Sequence, residues 1–452
     1  MMKNNLNSWV YYQAPKFNNL RVKSIFLGLL AAGFISCSND DLQDPVSLDN
    51  SSALLDEGTS VKVLLLKEKD FYTPPTSYAV TKDLVTDYGV DKIFSTDDSQ
   101  KFQKAIDDVS AKGGGKLLIP KGNYSVSNVK LKSNVHIIVS DEAVIRPSIR
   151  PNTDKNYAMF TFGKESDVIK NVSFSSASSN KFIVDLTKAN NPNVAVFNFN
   201  NVDNFSISDF KILDKLTKFS SVTMGITKFN DKYFWPRNGV VKNANTLNSD
   251  YGYGLVQVQA AKNVLYKKLK GTGGVTLRLE TGWTFMNDLQ KGGVEDMFGE
   301  NISCTNGNAA VMVSPHAMHN GKVYVNGITA NSCGFAVRLE GGFVSKKYST
   351  PGLTKGTFSN VTISNVKATY GNKEAQLKPK HYKYMPCNLR SLINENPIVA
   401  EGESYNGPSI SAIVNTPNYT VNLDENSVEG IGFVEDYVIV TDEQAKTSEQ
   451  CN

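Results

Sequence analysis

The chain predicts an all-β fold, a right-handed parallel β-helix with an N-terminal amphipathic capping helix, and three observations predict it. Beyond Tyr124 the sequence is a long series of short strand-like stretches separated by Asn, Gly and Ser turns. A phrase of Asn, aliphatic, polar, apolar recurs at Asn171-Val172-Ser173-Phe174, Asn204-Phe205-Ser206-Ile207, Asn263-Val264-Leu265-Tyr266, Asn301-Ile302-Ser303 and Asn360-Val361-Thr362-Ile363. Spacings of roughly 20 to 40 residues between strand-only units are the signature of a solenoid. A single helix-period segment precedes these units, and an open first rung needs such a cover over its apolar end and strand edge. An array of immunoglobulin-like sandwiches predicts tighter hairpins and no leading helix.

The elements follow in chain order. Arg21 and Lys23 precede an apolar run from Ile25 to Ile35, too short to span a bilayer and laid out as a secretory signal. Ser36-Cys37 at its end resembles a bacterial lipoprotein cleavage site, with Cys37 as the acylated N-terminus and Asp40-Asp41 placed as in an export signal. The expectation is an exported lipoprotein at the outer membrane or cell surface, with residues 1–36 removed. That segment carries Lys3, Lys16, Arg21 and Lys23 and no acid, so the formal net charge of +4 falls to 0 without it. No general basic field remains for nucleic acid.

Residues 37–90 read as tether and lead-in, 91–430 as the β-helix with inserted loops, and 431–452 as a tail. Thr96 or Ser95 is placed to cap a helix with Phe102, Ile106 and Val109 at helical spacing, and Gly113-Gly114-Gly115 stops it. Cys304, Cys333, Cys387 and Cys451 are an even set in an export-competent chain. Cys304 and Cys333 fall in similar phrases, on neighbouring repeats, as a disulfide or as buried thiols.

The chemistry concentrates on one strand. In Thr276-Leu277-Arg278-Leu279-Glu280-Thr281-Gly282 a period of two puts Arg278, Glu280 and Gly282 on one face, and Ala336-Val337-Arg338-Leu339-Glu340-Gly341-Gly342 repeats the phrase. Aligning small-residue lead-ins sets Gln257, Glu280, His316 and Glu340 along one groove, interleaved with Arg278 and Arg338. Glu280 and Glu340 also fit a surface ion ladder with the two arginines, Gln257 an amide ladder and His316 a turn.

The Arg-Leu-Glu-Thr strand, Gln257 one rung before it and His316 36 positions after Glu280 resemble the iota-carrageenases of glycoside hydrolase family 82, over about residues 90 to 390. The resemblance implies a secreted β-helix enzyme that hydrolyses, with inversion and within the chain, the β-1,4 bonds of a sulfated galactan. It implies Glu280 as general acid, with Gln257 and His316 in the catalytic site. It requires no cofactor and is compatible with structural calcium, sodium or chloride; metal ligands stay unassigned. A monomer is expected, with iota-carrageenan or a related sulfated galactan as partner.

The family places an Asp two positions after the acid, and this chain has Gly282. Two positions along a strand is about 6.6 to 6.8 Å, within the roughly 6.5 to 9.5 Å that an inverting pair requires. Glu340, His316, a loop residue such as Asp288, or no residue at all are the alternatives for the missing base. In the last case the protein is a surface sulfated-glycan binder with weak or no turnover. Sulfate esters call for guanidinium and ammonium groups. Arg278, Arg338 and the cluster Lys378, Lys380, His381, Lys383 and Arg390 are candidates, with Tyr382 and Tyr384 placed for stacking on sugar faces. His136 and His319 have no evident partner. The mid-chain aspartate clusters of polygalacturonases and pectate lyases are missing.

Overall fold

The computed structural model describes residues 65–149, 154–398, 404–449 and 451. The expected signal segment, Cys37 and most of the tether lie outside them. Alternation of β-branched and aromatic residues with polar ones gives strands that bury one face inward. These strands stack in parallel, rung on rung. Val80–Asp83 pairs with Gly115–Ile119, and the column continues through Val135–Val139, Ile169–Ser176, Val202–Leu213, Arg237–Val258, Ala261–Glu280, Val294–Thr305, His319–Asn331 and Thr357–Thr369. The result is the parallel β-helix that the repeat pattern predicts.

The solenoid runs past the expected limits of 91 and 430. Val80–Asp83 is already a paired strand, and Ile439–Val440 pairs with Ile413–Thr416. Helix Ser99–Ala111 covers the first rung through Phe102, Ala105, Ile106 and Val109, all fully buried. Its N-cap residue is Asp98 rather than Thr96 or Ser95. Asp97 accepts the Ser99 N–H at 3.0 Å, while buried Asp98 accepts that of Ser125 at 3.1 Å and ties the helix to the rung beneath.

Inside, like residues stack between rungs. Phe162 lies 4.0 Å from Phe199 and Phe160 5.7 Å from Phe197, both stacked. Outside, the recurrent Asn marks a left-handed turn residue whose amide bonds to its neighbour above. Asn134, Asn171 and Asn204 have φ of 61°, 56° and 59°, and their side chains form a ladder with bonds of 2.9 and 2.8 Å. Asn tolerates this conformation better than other residues with a Cβ. Asn360 departs from that pattern: its backbone is not left-handed, and Asn365 takes the left-handed turn at φ 55°. Cys387 and Cys451 form a disulfide, whereas Cys304 and Cys333 are free, buried thiols with sulfurs 2.6 Å apart.

A second column of short strands forms the face of interest. Val222–Met224, the end of Arg237–Val258, the end of Ala261–Glu280, then Ala309–Ser314, Phe335–Glu340 and Ile413–Thr416 pair in turn. Leu277, Leu279, Val311, Val313, Val337 and Leu339 point into the core and are almost completely buried. The alternate residues line the outer face. Loops leave the C-terminal ends of these strands along one side, and an insertion described at 371–398 and 404–411 folds over part of the other, covering Met312 and Phe335 with Leu377, Tyr384 and Met385.

Candidate active site

Backbone register fixes which side chains stand above one another on this face. Gln257 pairs with Arg278, Arg278 with Met312, and Met312 with Arg338. Gln257 therefore stacks on Arg278, on the same face as Glu280 but two positions short of its line. Glu280 pairs instead with Ser314. Glu340, one position past the Val313–Leu339 pair, occupies the same line two rungs from Glu280.

Glu280 is 9% exposed and accepts from two cations or donors at once. Arg278 contacts its Oε2, and His316 Nε2 lies 3.2 Å from its Oε1. Arg278 also donates to the Gly252 carbonyl. Burial alone would raise the Glu280 carboxyl, but the Arg278 charge and the His316 hydrogen bond outweigh it and hold the group well below the usual carboxylate range. Glu340 is pulled down to about 2, the cost of burial being outweighed by Arg338, 2.7 Å away, and by Lys380. Glu280 and Glu340 are thus both ionised in the free protein at neutral pH.

His316 is held from every side. Its Nδ1 lies 2.7 Å from the Tyr348 hydroxyl, and its ring centroid is 4.4 Å from that of Phe343. Gly282 is what admits it. A Cβ at 282 would lie 2.6 Å from His316 Nε2 and 2.7 Å from Cε1, so the imidazole occupies the room in which a side chain at 282 would begin. An Asp at that position and His316 in this placement exclude each other.

The remaining candidates divide. Arg338 is 1% exposed, committed to Asn308 Oδ1 at 2.6 Å and to Glu340, so it supports the groove from below instead of meeting a sulfate. His381 is completely buried beside Tyr251, and burial followed by Arg338 and Lys380 pushes its imidazole well below its ordinary value. It is neutral and no anion ligand. Tyr384 is buried in the insertion and cannot stack on a sugar, whereas Tyr382 is half-buried and accepts from Arg390 through its carbonyl at 3.0 Å. Lys380 is exposed and acts on both Glu280 and Glu340. Asp288 sits on helix Thr284–Leu289 and holds Ser349 and Thr350. His136 bonds Ser173 and His319 bonds Thr357. Among the described residues no group of three or more His, Cys, Asp or Glu side chains is arranged to hold a metal ion.

Sequence reasoning missed Tyr348 and Phe343, which no period or motif connects to His316. It also missed an aromatic cluster beside the Arg278–Glu280 strand. Trp283 and Phe285 lie 5.3 Å apart, and Tyr233 on the Thr227–Phe234 hairpin lies 5.9 Å from Phe285.

Comparison with known proteins gives this arrangement a family. No family model matches the chain. The iota-carrageenase of Zobellia galactanivorans is 35% identical over an alignment of 486 positions that covers 93% of this chain and 95% of that protein. Among solved structures, a 1,3-α-1,4-β-D-galactose-4-sulfate-3,6-anhydro-D-galactose-2-sulfate 4 galactohydrolase superposes with a TM-score of 0.79 at 32% identity, covering 85% of this chain and 95% of its own. An iota-carrageenase complexed to iota-carrageenan fragments gives 0.77 at 31%, covering 84% and 95%. With this identity along nearly its whole length, a shared β-helix and the Arg278–Glu280 strand at its centre, the chain belongs to the iota-carrageenase family.

Proposed function

We propose that the protein hydrolyses internal β-1,4 bonds of iota-carrageenan with inversion, Glu280 acting as general acid and Glu340 activating the attacking water. The observation that carries this reading is the pairing of two carboxylates on one line of the groove. Two rungs separate their backbones by roughly 9.4 to 9.8 Å, a span from which two glutamate side chains can set their carboxyls at the about 6.5 to 9.5 Å that leaves room for a water in an inverting site. His316 is less suited to that role, because a 3.2 Å hydrogen bond commits its Nε2 to Glu280 and leaves no room for water between them. Glu340, ionised at neutral pH, is in the state a base requires.

Glu280 must be protonated to give its proton to the leaving oxygen. Oε1 already faces His316 Nε2, so the proton has to reside on Oε2, the oxygen that Arg278 holds. A substrate sulfate drawn to Arg278 loosens that ion pair and adds negative charge nearby, and both effects raise the carboxyl. The anionic substrate thereby prepares its own acid. Lys380, exposed at the rim, is a second site for sulfate.

A glycan binder without turnover is the competing reading, and the strong hold of Arg278 on Glu280 favours it. Incubation of the protein with iota-carrageenan decides between them by release of oligosaccharides. Release that disappears in Glu280→Gln, with binding retained, supports hydrolysis; no release, or equal release from both, removes it. The Cys37 anchor and surface location are likewise proposals, supported by the Ser36-Cys37 site at the end of the apolar run; palmitate labelling lost in Cys37→Ser tests them.

A further inference from the structure

The segment after Glu340 is a closed loop built around a single residue of another rung. Its two stems meet at one atom: Phe343 N and Gly356 N both donate to the His316 carbonyl, at 2.9 and 2.8 Å. Asn418 closes the neck, accepting from Gly342 N at 2.6 Å and donating to the Gly356 carbonyl at 3.2 Å. Only glycine fits there, since a Cβ at 342 would lie 2.1 Å from the Gly356 carbonyl oxygen and one at 356 would lie 2.3 Å from that of Met318. The far side is tied to helix Thr284–Leu289. Asp288 accepts from Ser349 N at 2.7 Å, Ser349 Oγ at 2.9 Å and Thr350 N at 3.2 Å.

Between neck and clamp the loop returns two side chains to the His316 ring, the Phe343 face and the Tyr348 hydroxyl. Compact loops with adjoining ends packed by their own side chains are frequently functional. We propose that the 343–356 loop is a cradle for His316 and that Tyr348 is its positioning residue, donating to Nδ1 so that Nε2–H is fixed toward Glu280. The chemistry of the partners sets this polarity. A carboxylate only accepts, so the ring nitrogen facing Glu280 carries the hydrogen; the other nitrogen of a neutral imidazole is then an acceptor, and the Tyr348 hydroxyl must donate. The cradle thus orients Glu280 through His316, as a supporting group does for a first layer of reacting residues.

This inference rests on the hydrolase reading for its meaning in catalysis, and its test has a part that does not. With 15N-histidine labelling, four histidines give four ring spectra, and His316→Asn identifies the one of interest. In the wild type His316 is expected with Nε2 protonated toward Glu280 and Nδ1 accepting the Tyr348 hydrogen; in Tyr348→Phe the Nδ1 resonance moves to that of an acceptor nitrogen without a hydrogen bond, and the Nε2–H signal broadens as the ring loses its fixed orientation. An unchanged His316 spectrum in Tyr348→Phe overturns the proposal, whatever the rates do. On iota-carrageenan, Tyr348→Phe lowers kcat roughly 10- to 100-fold, as small misplacements of a reacting group do, with KM within about twofold. Asp288→Ala, which loosens the clamp without touching the ring, gives a smaller loss of the same kind. Full kcat in Tyr348→Phe also overturns the proposal. Absence of turnover in the wild type removes the hydrolase reading alone, because the ring-nitrogen comparison still decides the role of the loop.

Discussion

The strands at 276–282 and 336–342 carry nearly the same phrase and do different things. In both, an arginine and a glutamate two residues apart face outward from a buried pair of aliphatic residues. At the first, Arg278 and Glu280 lie beside His316, and Gly282 leaves the space that the imidazole fills. At the second, Arg338 is sealed beside His381 and Tyr384 of the insertion, Glu340 keeps 18% of its side chain exposed, and Gly342 leaves space for the backbone of its own loop neck. A strand phrase sets direction and register; what crosses over it sets the role. The second copy serves the first twice, supplying a carboxylate to the same groove and, through the loop that follows it, the partners of His316.

The largest expected effect separates the two glutamates from every other groove residue. Glu280→Gln and Glu340→Gln each lower hydrolysis by about 10³-fold, the range for loss of a general acid or base. Loss confined to Glu280→Gln would reduce the second copy to a structural ladder. Next comes Arg338→Leu, expected to cost about 3 kcal/mol in urea unfolding, because it strands the largely enclosed Glu340 carboxylate and the buried Asn308 side chain. Arg278→Leu costs less stability and more activity, since Glu280 keeps His316 as a donor.

Smaller still is the contrast between the glycines. Gly342→Ala is expected to lose about 2 kcal/mol, the overpacking cost against a backbone that cannot move. Gly282→Ala loses less, because the imidazole can swing aside, but its kcat falls with the displaced ring. Equal stability losses would show that His316 is as fixed as backbone. The smallest effect lies far from the groove. Burial, followed by Lys116, lowers His136 to about 4 from its ordinary 6.5. The folded state favours the neutral ring, so this contribution is present above about pH 6.5 and is lost as pH falls toward 4. The Tm of the wild type should decline across that window more steeply than that of His136→Gln.

The solenoid was legible because its signals are local. Recurrent Asn residues mark left-handed turns, alternation marks inward faces, and Phe102, Ile106 and Val109 mark the capping helix. Glu280, Arg278 and His316 were also legible as a group. Register was not, since the lead-ins differ in length from rung to rung, and Gln257 fell opposite Arg278. Burial by the insertion was equally invisible, which is why Arg338, His381 and Tyr384 read as ligands in sequence and lie beneath the surface in the fold. Nothing in the order of residues indicates that Tyr348, 32 positions away, returns to His316.

In the proposed mechanism Glu340, and not His316, replaces the carboxylate missing at Gly282. Adding azide to Glu340→Ala and to His316→Ala acting on iota-carrageenan separates the two. Azide is a small anion that attacks without needing a base, so it can stand in for activated water where the base has been removed. With Glu340 as the base, azide restores cleavage in Glu340→Ala, yielding an inverted glycosyl azide, and leaves His316→Ala unimproved. Rescue of His316→Ala instead, or wild-type turnover by Glu340→Ala without azide, would contradict it.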